Sequence, residues 1–435
     1  MIKYDLKLRG WTTKSDGLIS FILNGFGLTL LFAQQIVFAR VLGVIDFGIY
    51  SFIQSIFAMS TVFTTWGMGT LSFREIGSIN DLGLKKGFYL FSHLFIMILN
   101  VIMGIVMYNY SPNLGSLNDL VDIRNIFLFA TVYFYLKSFI EVLSIQHQAE
   151  GHTIVSKLSS HIIPILSSTL VVLIGYKYFG KINLIFFLVL ISSATLGSIF
   201  CILILKKPGY FIKEKIKMTF EFKSWIKSGL FLMLLSGLYI ILGRMNNFVI
   251  GIYLEPQYVG YYSVCLSLSA LVLFGLNSIN QVIAPKIAKS FKESNLINFQ
   301  KLLLKSTKIG FLTTLFFIVM MILFGHLILG FFGDEFKEFY HILIILSFGY
   351  LVSTIAGPVG LSLTMTGREK YVIISTLFAA TINLILSMLL IKDYGILGVA
   401  WGNAIGLVLL NLPLALFVKW KFNYRTYISF KSDFI

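Results

Sequence analysis

The chain of 435 residues is 57% hydrophobic and only 12% charged, and its net charge at pH 7 is +16. Soluble domains carry about a quarter charged residues, so this composition excludes an ordinary soluble protein. The positive charge does not indicate a nucleic-acid partner either, because the basic residues lie between apolar runs and do not cluster in one patch.

Long, continuous apolar runs with only 7 prolines predict a bundle of membrane-spanning helices. Only helices and closed barrels satisfy their backbone hydrogen bonds in lipid, and a barrel would show short alternating segments instead. About twenty apolar residues are needed to cross a bilayer. By this measure the sequence predicts an all-α integral membrane protein with twelve spans, at 17–39, 47–71, 87–109, 124–146, 154–176, 182–205, 227–251, 258–284, 308–331, 339–364, 371–391 and 396–418.

The lysines and arginines predict how these spans are oriented. Most of the 35 such residues fall at the two termini and in alternate connections, above all in 206–227 and 285–308. In membrane proteins the excess of positive charge lies on the cytoplasmic side. Both termini are therefore predicted to be cytoplasmic, in agreement with an even number of spans.

A long internal repeat divides the chain. Residues 17–58 align without a gap with residues 229–270, and Gly48 is paired with Gly260. Since six predicted spans separate the copies, both cross the membrane in the same direction, as in the parallel repeats of one class of transporters. The two glycines are predicted to form tight turns at the outer mouths of spans two and eight, or to let another helix approach closely.

The repeat predicts two six-helix lobes around a central cavity. The N-terminal lobe covers 1–205, and the C-terminal lobe with its cytoplasmic tail covers 227–435. Between them, 206–226 mixes lysines with large apolar residues, a composition typical of an amphipathic helix lying in the cytoplasmic interface.

Polar side chains inside the spans are candidates for function, because each is costly in lipid. Span one carries Asn24, Gln34 and Gln35, with Asn24 about three helical turns before Gln35 on the same face. Gln34 and Gln35 align in the repeat with Asn246 and Asn247 of span seven. If the first helices of the two halves face each other, these carboxamides line the space between them.

Span four carries a lysine and a carboxylate, Lys137 and Glu141, one helical turn apart. At this spacing the two can neutralise each other, or they can line a cavity, and the sequence leaves both interpretations open. Glu141 is the only carboxylate deep in a predicted span, which argues against an ion relay built from carboxylates.

Span seven carries a lone arginine, Arg244, three residues before Asn247 and on the same helical face. Arginine stays protonated and binds phosphate oxygens in bidentate fashion, so Arg244 predicts an anion site. The alternative is an arginine that reaches the outer headgroups or pairs with a backbone carbonyl.

Motifs for enzymatic or metal chemistry are not found in the sequence. The 6 histidines show no ligand spacing, and Cys201 and Cys265 both lie in apolar runs. Neither a phosphate-binding loop nor a hydrolase or zinc-protease motif occurs. The sequence therefore predicts a protein that is not an enzyme and that needs no cofactor or metal.

Several stretches resemble one family of transporters, the Wzx-type polysaccharide or O-antigen flippases of the multidrug/oligosaccharidyl-lipid/polysaccharide (MOP) exporter superfamily. The resemblance covers nearly the whole chain. It rests on Ala39-Arg40-Val41-Leu42-Gly43 with Phe47-Gly48-Ile49-Tyr50, on Gly67, Gly69 and Arg74-Glu75-Ile76, on Val259-Gly260-Tyr261-Tyr262 with Pro285, and on the turns Ala149-Glu150-Gly151-His152 and Thr366-Gly367-Arg368-Glu369.

The resemblance implies two lobes that alternate between inward- and outward-open forms in the bacterial inner membrane. It implies as cargo an undecaprenyl-diphosphate-linked oligosaccharide for O-antigen or capsule, with membrane lipids and polysaccharide assembly proteins as partners. Arginine and lysine would hold the diphosphate, and carboxamides and aromatic residues the sugars. Relatives often have an acidic residue near the position of Arg244, where this chain has Asn246 and Asn247, so ion coupling through that position is not expected.

Other functions fit the residues less well. A drug or cation antiporter of the same superfamily would need buried carboxylates for its cationic substrate, whereas the deep charges here are mainly positive. A membrane glycosyltransferase or polymerase would need a catalytic loop, and the predicted outer loops are short. A scaffold protein would not need polar residues aligned in both halves.

Overall fold

The computed structural model describes residues 14–78, 81–113, 123–205 and 217–428. Within these ranges the chain is helical and contains no β-strand. The helices in chain order are α1 Lys14–Thr65, α2 Met68–Ser78, α3 Leu82–Tyr110, α4 Ile123–Ala149, α5 Thr153–Lys157, α6 Ile163–Phe179, α7 Leu184–Leu205, α8 Phe222–Tyr253, α9 Pro256–Ala270, α10 Phe274–Lys292, α11 Leu296–Gly330, α12 Tyr340–Ala356, α13 Val359–Met365 and α14 Glu369–Phe422. Short 3-10 segments are found at Ser111–Asn113, Leu271–Leu273 and Asp334–Phe339, and a π-helical turn at Leu158–Ile162.

Nine helical stretches among the described residues are long and apolar enough to cross a membrane. α8 is a tenth candidate if its two parts count as one span. These parts, Phe222–Leu234 and Gly237–Tyr253, are bent by 47° relative to each other. The protein is therefore an all-helical, multi-pass membrane protein, as its composition predicts.

Two of the helices are far longer than a bilayer is thick. α1 has 52 residues and α14 has 54, so each extends over about 80 Å if straight, against about 30 Å of hydrocarbon. Each is interrupted at a glycine with positive φ, Gly43 (φ 75°) in α1 and Gly395 (φ 56°) in α14. Glycine adopts this region without steric cost. The twelve-span count requires each of these helices to cross twice, and it remains a prediction.

The paired glycines of the repeat do not form the predicted tight turns. Gly48 and Gly260 are buried inside α1 and α9, and the break in α1 lies upstream at Gly43. A Cβ on Gly48 would overlap the carbonyl oxygen of Pro256, and one on Gly260 would lie 3.2 Å from the Cα of Gly48. The glycines are thus required for close helix approach, which is the other role that the sequence allows.

The largest buried apolar cluster joins residues from both halves of the repeat. Phe47 of α1 contacts Phe336 with ring centroids 6.4 Å apart. At the same end of the molecule the Arg40 guanidinium donates from Nε to the carbonyl of Phe331 (2.9 Å) and from its terminal nitrogen to that of Gly330 (2.8 Å). These carbonyls lie at the C-terminal end of α11, where a positive charge is favoured. Side chains from both halves therefore pack together at this end.

At the other end, the chain before α8 packs against the first half. The Thr219 amide donates to the Gly83 carbonyl (3.2 Å), and the fully buried Trp225 donates from its indole nitrogen to Glu75 Oε2 (3.1 Å). The interfacial helix predicted at 206–226 lies in large part outside the described residues, and 217–221 is not helical.

Candidate functional site

A cavity of about 340 Å³ lies between α1, α4 and α8. It is lined by Gln54, Ala58, Thr61, Phe134, Lys137, Ser138, Glu141, Tyr239, Ile240, Gly243 and Arg244. Residues from both halves of the chain form its wall, and it contains three of the charged or polar residues that the sequence singles out. Its volume falls within the range of about 300–1,000 Å³ that is usual for ligand sites.

Lys137 and Glu141 face this cavity from adjacent turns of α4. Both side chains are exposed to it, and neither takes part in a salt bridge among the described residues. The Lys137 ammonium lies 5.8 Å from the ring centroid of Phe134, a weak cation–π contact. Of the two interpretations left open by the sequence, the geometry corresponds to the cavity lining.

Arg244 enters the cavity from α8. Its side chain is half-buried, and within the described part of the chain it forms no salt bridge with a carboxylate. Tyr50 and Tyr350 lie close enough to interact with it electrostatically. A guanidinium without an acidic partner, in a cavity shared with a lysine, is available to an anionic ligand.

A second, smaller cavity of about 40 Å³ adjoins the first and extends to Phe47 of the large apolar cluster, and the two cavities share Gln54 and Arg244. Its lining is mostly polar and comprises Leu31, Gln34, Gln35, Phe38, Phe47, Tyr50, Ser51, Gln54, Arg244, Ser263 and Ser267. Gln34 donates from Nε2 to Ser168 Oγ (2.6 Å), which holds it against α6. Gln35 donates from Nε2 to Ser267 Oγ (3.3 Å), while its buried Oε1 has no protein partner.

The asparagines of span seven lie behind the cavities and line neither of them. Asn247 donates from Nδ2 to Ser55 Oγ (2.8 Å) and Ser263 Oγ (2.9 Å). Asn246 donates to the Tyr262 hydroxyl (3.2 Å). Both side chains are buried and join helices.

The bond from Gln35 to Ser267 is the repeat counterpart of the bond from Asn247 to Ser55. Gln35 aligns with Asn247, and Ser55 with Ser267. Each bond connects one half of the chain to the other. The alignment of carboxamides in the sequence thus marks a matched pair of contacts between the halves.

One residue predicted to line a cavity does not do so, and two residues that were not predicted do. Asn24 is half-buried on α1 and lines neither cavity. Gln54 lines both cavities and Tyr239 lines the larger one, and sequence reasoning missed both. Gln54 could have been found from the sequence, because it is a carboxamide inside predicted span two. It lies three residues after Ser51, and so on nearly the same helical face.

A separate polar cluster surrounds Glu150, the residue that follows α4 and its candidate span. The Tyr89 hydroxyl donates to Glu150 Oε1 (2.6 Å), and His147 Nδ1 lies 3.9 Å from Glu150 Oε2. Burial alone would raise the pKa of Glu150, but the interactions with His147 and Tyr89 hold that pKa below its usual value. This cluster belongs to the packing of α3 against α4.

Comparison with known proteins supplies the family context. Residues 14–291 match the family described as "Polysaccharide biosynthesis protein". The chain is 35% identical over 164 residues to the capsular polysaccharide biosynthesis protein CapF of Staphylococcus aureus, covering 37% of this chain and 41% of that protein. It is 25% identical over 185 residues to the probable low-salt glycan biosynthesis flippase Agl15 of Haloferax volcanii, covering 41% of this chain and 39% of that one. The matched region thus spans about two fifths of the length of each relative.

Solved structures share the fold. An inward-facing multidrug resistance MATE family transporter of the MOP superfamily superposes with a TM-score of 0.77 at 15% identity, covering 91% of this chain and 94% of that one. The lipid II flippase MurJ in an inward closed conformation superposes with a TM-score of 0.72 at 18% identity, covering 92% and 87%. At these identities the likeness concerns the fold alone.

Proposed function

Because the chain belongs to the polysaccharide biosynthesis protein family, we propose that it is a flippase that moves undecaprenyl-diphosphate-linked oligosaccharide units across the bacterial inner membrane. The cargo would serve O-antigen or capsule synthesis, and the protein would work by alternating access. Two lobes of six spans each, with both termini in the cytoplasm, complete the proposal.

The observation that carries this proposal is the pair of cationic side chains in one cavity. Arg244 and Lys137 approach it from α8 and α4, and neither forms a salt bridge among the described residues. Two cations with one carboxylate suit an anionic head group, and arginine binds phosphate oxygens in a fixed bidentate geometry. Gln54, Thr61 and Tyr239 offer hydrogen-bonding groups of the kind that sugar hydroxyls need.

The contacts between the halves at one end of the molecule support the direction of opening. Arg40 and the apolar cluster that contains Phe47 join the halves at the end that the basic residues assign to the periplasm. A cavity that lies inward of these contacts suits an inward-oriented form that loads cargo from the cytoplasmic leaflet. The prenyl tail would remain in the lipid while the head group enters.

A flipping assay in proteoliposomes tests this function. Arg244→Ala should reduce the transport rate of labelled lipid-linked oligosaccharide more than tenfold, because one ionic hydrogen-bonded contact contributes about 1.5–3 kcal/mol. Arg244→Lys should give an intermediate rate, since it keeps the charge and loses the bidentate geometry. Full transport by Arg244→Ala would contradict the diphosphate role.

The matched control is Arg124→Ala, at the start of α4. Arg124 is exposed, lies 5.8 Å from the Tyr108 ring centroid and lines neither cavity. Its substitution should leave transport unchanged. A loss of transport equal to that of Arg244→Ala would indicate a general effect of removing positive charge.

A drug or cation antiporter is the second candidate, favoured by the structural likeness to a MATE family transporter. In that case Glu141, the carboxylate in the cavity, would bind a cationic substrate, and Arg244 would oppose it. Efflux of a cationic dye by the same proteoliposomes, abolished by Glu141→Gln and enhanced by Arg244→Ala, would support this alternative.

A further inference from the structure

The cavity contains one charge that the proposed cargo does not require. Besides Lys137 and Arg244 it is lined by Glu141, which is the one carboxylate in this lining and has no salt-bridge partner among the described residues. With all three side chains ionised, the empty cavity carries a net charge of about +1, which is favourable for an anion but leaves Glu141 facing it.

The charge of the cargo decides what happens to Glu141. A diphosphate esterified at both ends, as in a lipid-linked sugar, carries one negative charge on each phosphate near neutral pH. The positive charges of Lys137 and Arg244 balance the two negative charges of the diphosphate, so neutrality does not require Glu141. An ionised Glu141 would add an uncompensated negative charge next to the diphosphate, in a site partly shielded from water, where like charges strongly disfavour ionisation.

We propose that loading the diphosphate head group into this cavity takes up one proton on the Glu141 carboxylate, so that a proton is a co-ligand of the cargo. This inference rests on the proposed function. The proton comes from water and forms an O–H bond at one carboxylate oxygen, and no other bond changes. The neutral acid can then donate a hydrogen bond to a phosphate oxygen or a sugar hydroxyl, which an ionised carboxylate cannot do.

The surroundings of Glu141 identify it as the group that responds. Lys137 on its own helix acts on it directly, and α8 contributes Arg244 and Tyr239. From α1 the lining is Gln54, Ala58 and Thr61, which do not titrate. Tyr50 lies beyond Arg244 in the second cavity, while Glu75, His93, Lys157 and His161, on the segments that pack against α4, line neither cavity. Glu141 is the one carboxylate in the lining of the cavity, so it is the group that accepts the proton.

The test is the pH dependence of head-group binding by the full-length protein in nanodiscs. The probe is a short-chain prenyl diphosphate N-acetylglucosamine, whose two esterified phosphates keep the same charge between about pH 5.5 and 8.5. Uptake of one proton predicts a Kd that rises up to tenfold per pH unit above the pH at which Glu141 ionises in the empty cavity. Calorimetry in buffers of different ionisation enthalpy should show up to one proton taken up per probe bound.

Three variants separate this inference from a structural effect. Glu141→Gln should bind the probe at all pH values about as tightly as the wild type does at low pH, without proton uptake. Glu141→Asp should keep the pH dependence. Glu338→Gln, an exposed carboxylate outside both cavities, should behave as wild type.

The possible outcomes are distinct. Wild-type binding that does not change with pH, or a pH dependence retained in Glu141→Gln, would overturn the proton inference and leave the flippase proposal intact. Failure of the wild type to bind the probe at any pH would overturn both.

Discussion

At the scale of single residues, the polar side chains inside the spans serve two different purposes. Lys137, Glu141 and Arg244 line the larger cavity, whereas Asn247 bonds to neighbouring helices. A carboxamide in a span can do either, and the choice depends on which helix packs against its face. The sequence did hold a sign of the bond between Asn247 and Ser55. Ser55 aligns with Ser267 in the repeat, just as the carboxamide of Gln35 aligns with that of Asn247.

The Glu150 cluster leads to a prediction at this scale. In the folded protein the pKa of Glu150 is lowered, since the contributions of His147 and Tyr89 outweigh burial. A lowered pKa contributes stability that is present above the pKa of the unfolded chain, about 4.3, and is lost as pH falls through the folded-state pKa. Tyr89→Phe removes one donor and should lower the free energy of unfolding at pH 7 by about 1.5–3 kcal/mol.

Thermal unfolding in detergent as a function of pH would measure this effect. The difference between Tyr89→Phe and wild type should shrink once the pH falls below the lowered pKa of Glu150 in the folded wild type, where the carboxyl is protonated in both proteins. Tyr178→Phe is the control, because Tyr178 is 79% exposed and should show no such change. An equal destabilisation of Tyr89→Phe at every pH would mean that packing, and not the charge of Glu150, is responsible.

At the scale of elements, apolar length predicted where helices exist, while their breaks and contacts depended on backbone geometry that length does not encode. The sequence marked Gly48 and Gly260 as special through the repeat, but the break lies at Gly43. A turn glycine and a packing glycine look alike in a single sequence. What distinguishes them is a neighbouring helix, here the start of α9 at Pro256, which lies against Gly48.

A glycine substitution tests the contact between α1 and α9. Gly48→Ala places a methyl group against the backbone of Pro256, which cannot yield as a flexible side chain can. The free energy of unfolding should fall by about 1–3 kcal/mol, the usual cost of overpacking. Thermal unfolding of the purified protein in detergent measures it.

Gly197→Ala in α7 is the matched control. A Cβ at Gly197 meets no atom within 4 Å, so the substitution should be neutral or slightly stabilising, because alanine favours a helix over glycine by up to about 1 kcal/mol. If both variants lost stability equally, the close approach at Gly48 would not be the cause.

At the scale of the whole molecule, composition alone predicted a multi-pass helical membrane protein, and the structure bears this out. The twelve spans, the division into lobes and the orientation remain predictions. Because α1 and α14 each run through a glycine break as one helix, the number of helices does not give the number of spans. The cavity could not be predicted as a volume. It arises where α1, α4 and α8, which are distant in sequence, lie side by side.

Thiol labelling tests the orientation of the molecule. In a variant without Cys201 and Cys265, Glu255→Cys should react with a membrane-impermeant reagent added to intact cells. Glu255 is exposed between α8 and α9, at the end that the basic residues assign to the outside. Glu293→Cys, exposed between α10 and α11, should react only after the cells are permeabilised. The reverse labelling pattern would overturn the predicted orientation.

The matched bonds between the halves give the contact between them a two-fold character. Gln35 of the first half contacts Ser267 of the second, and Asn247 of the second contacts Ser55 of the first. In a two-fold homodimer the interface is isologous, which means that each contact occurs twice with the roles of the two subunits exchanged. One polypeptide therefore contains a reciprocal pair of contacts of the kind that a two-fold homodimer makes, and Gly48 and Gly260, which the repeat also pairs, lie against each other where α1 meets α9.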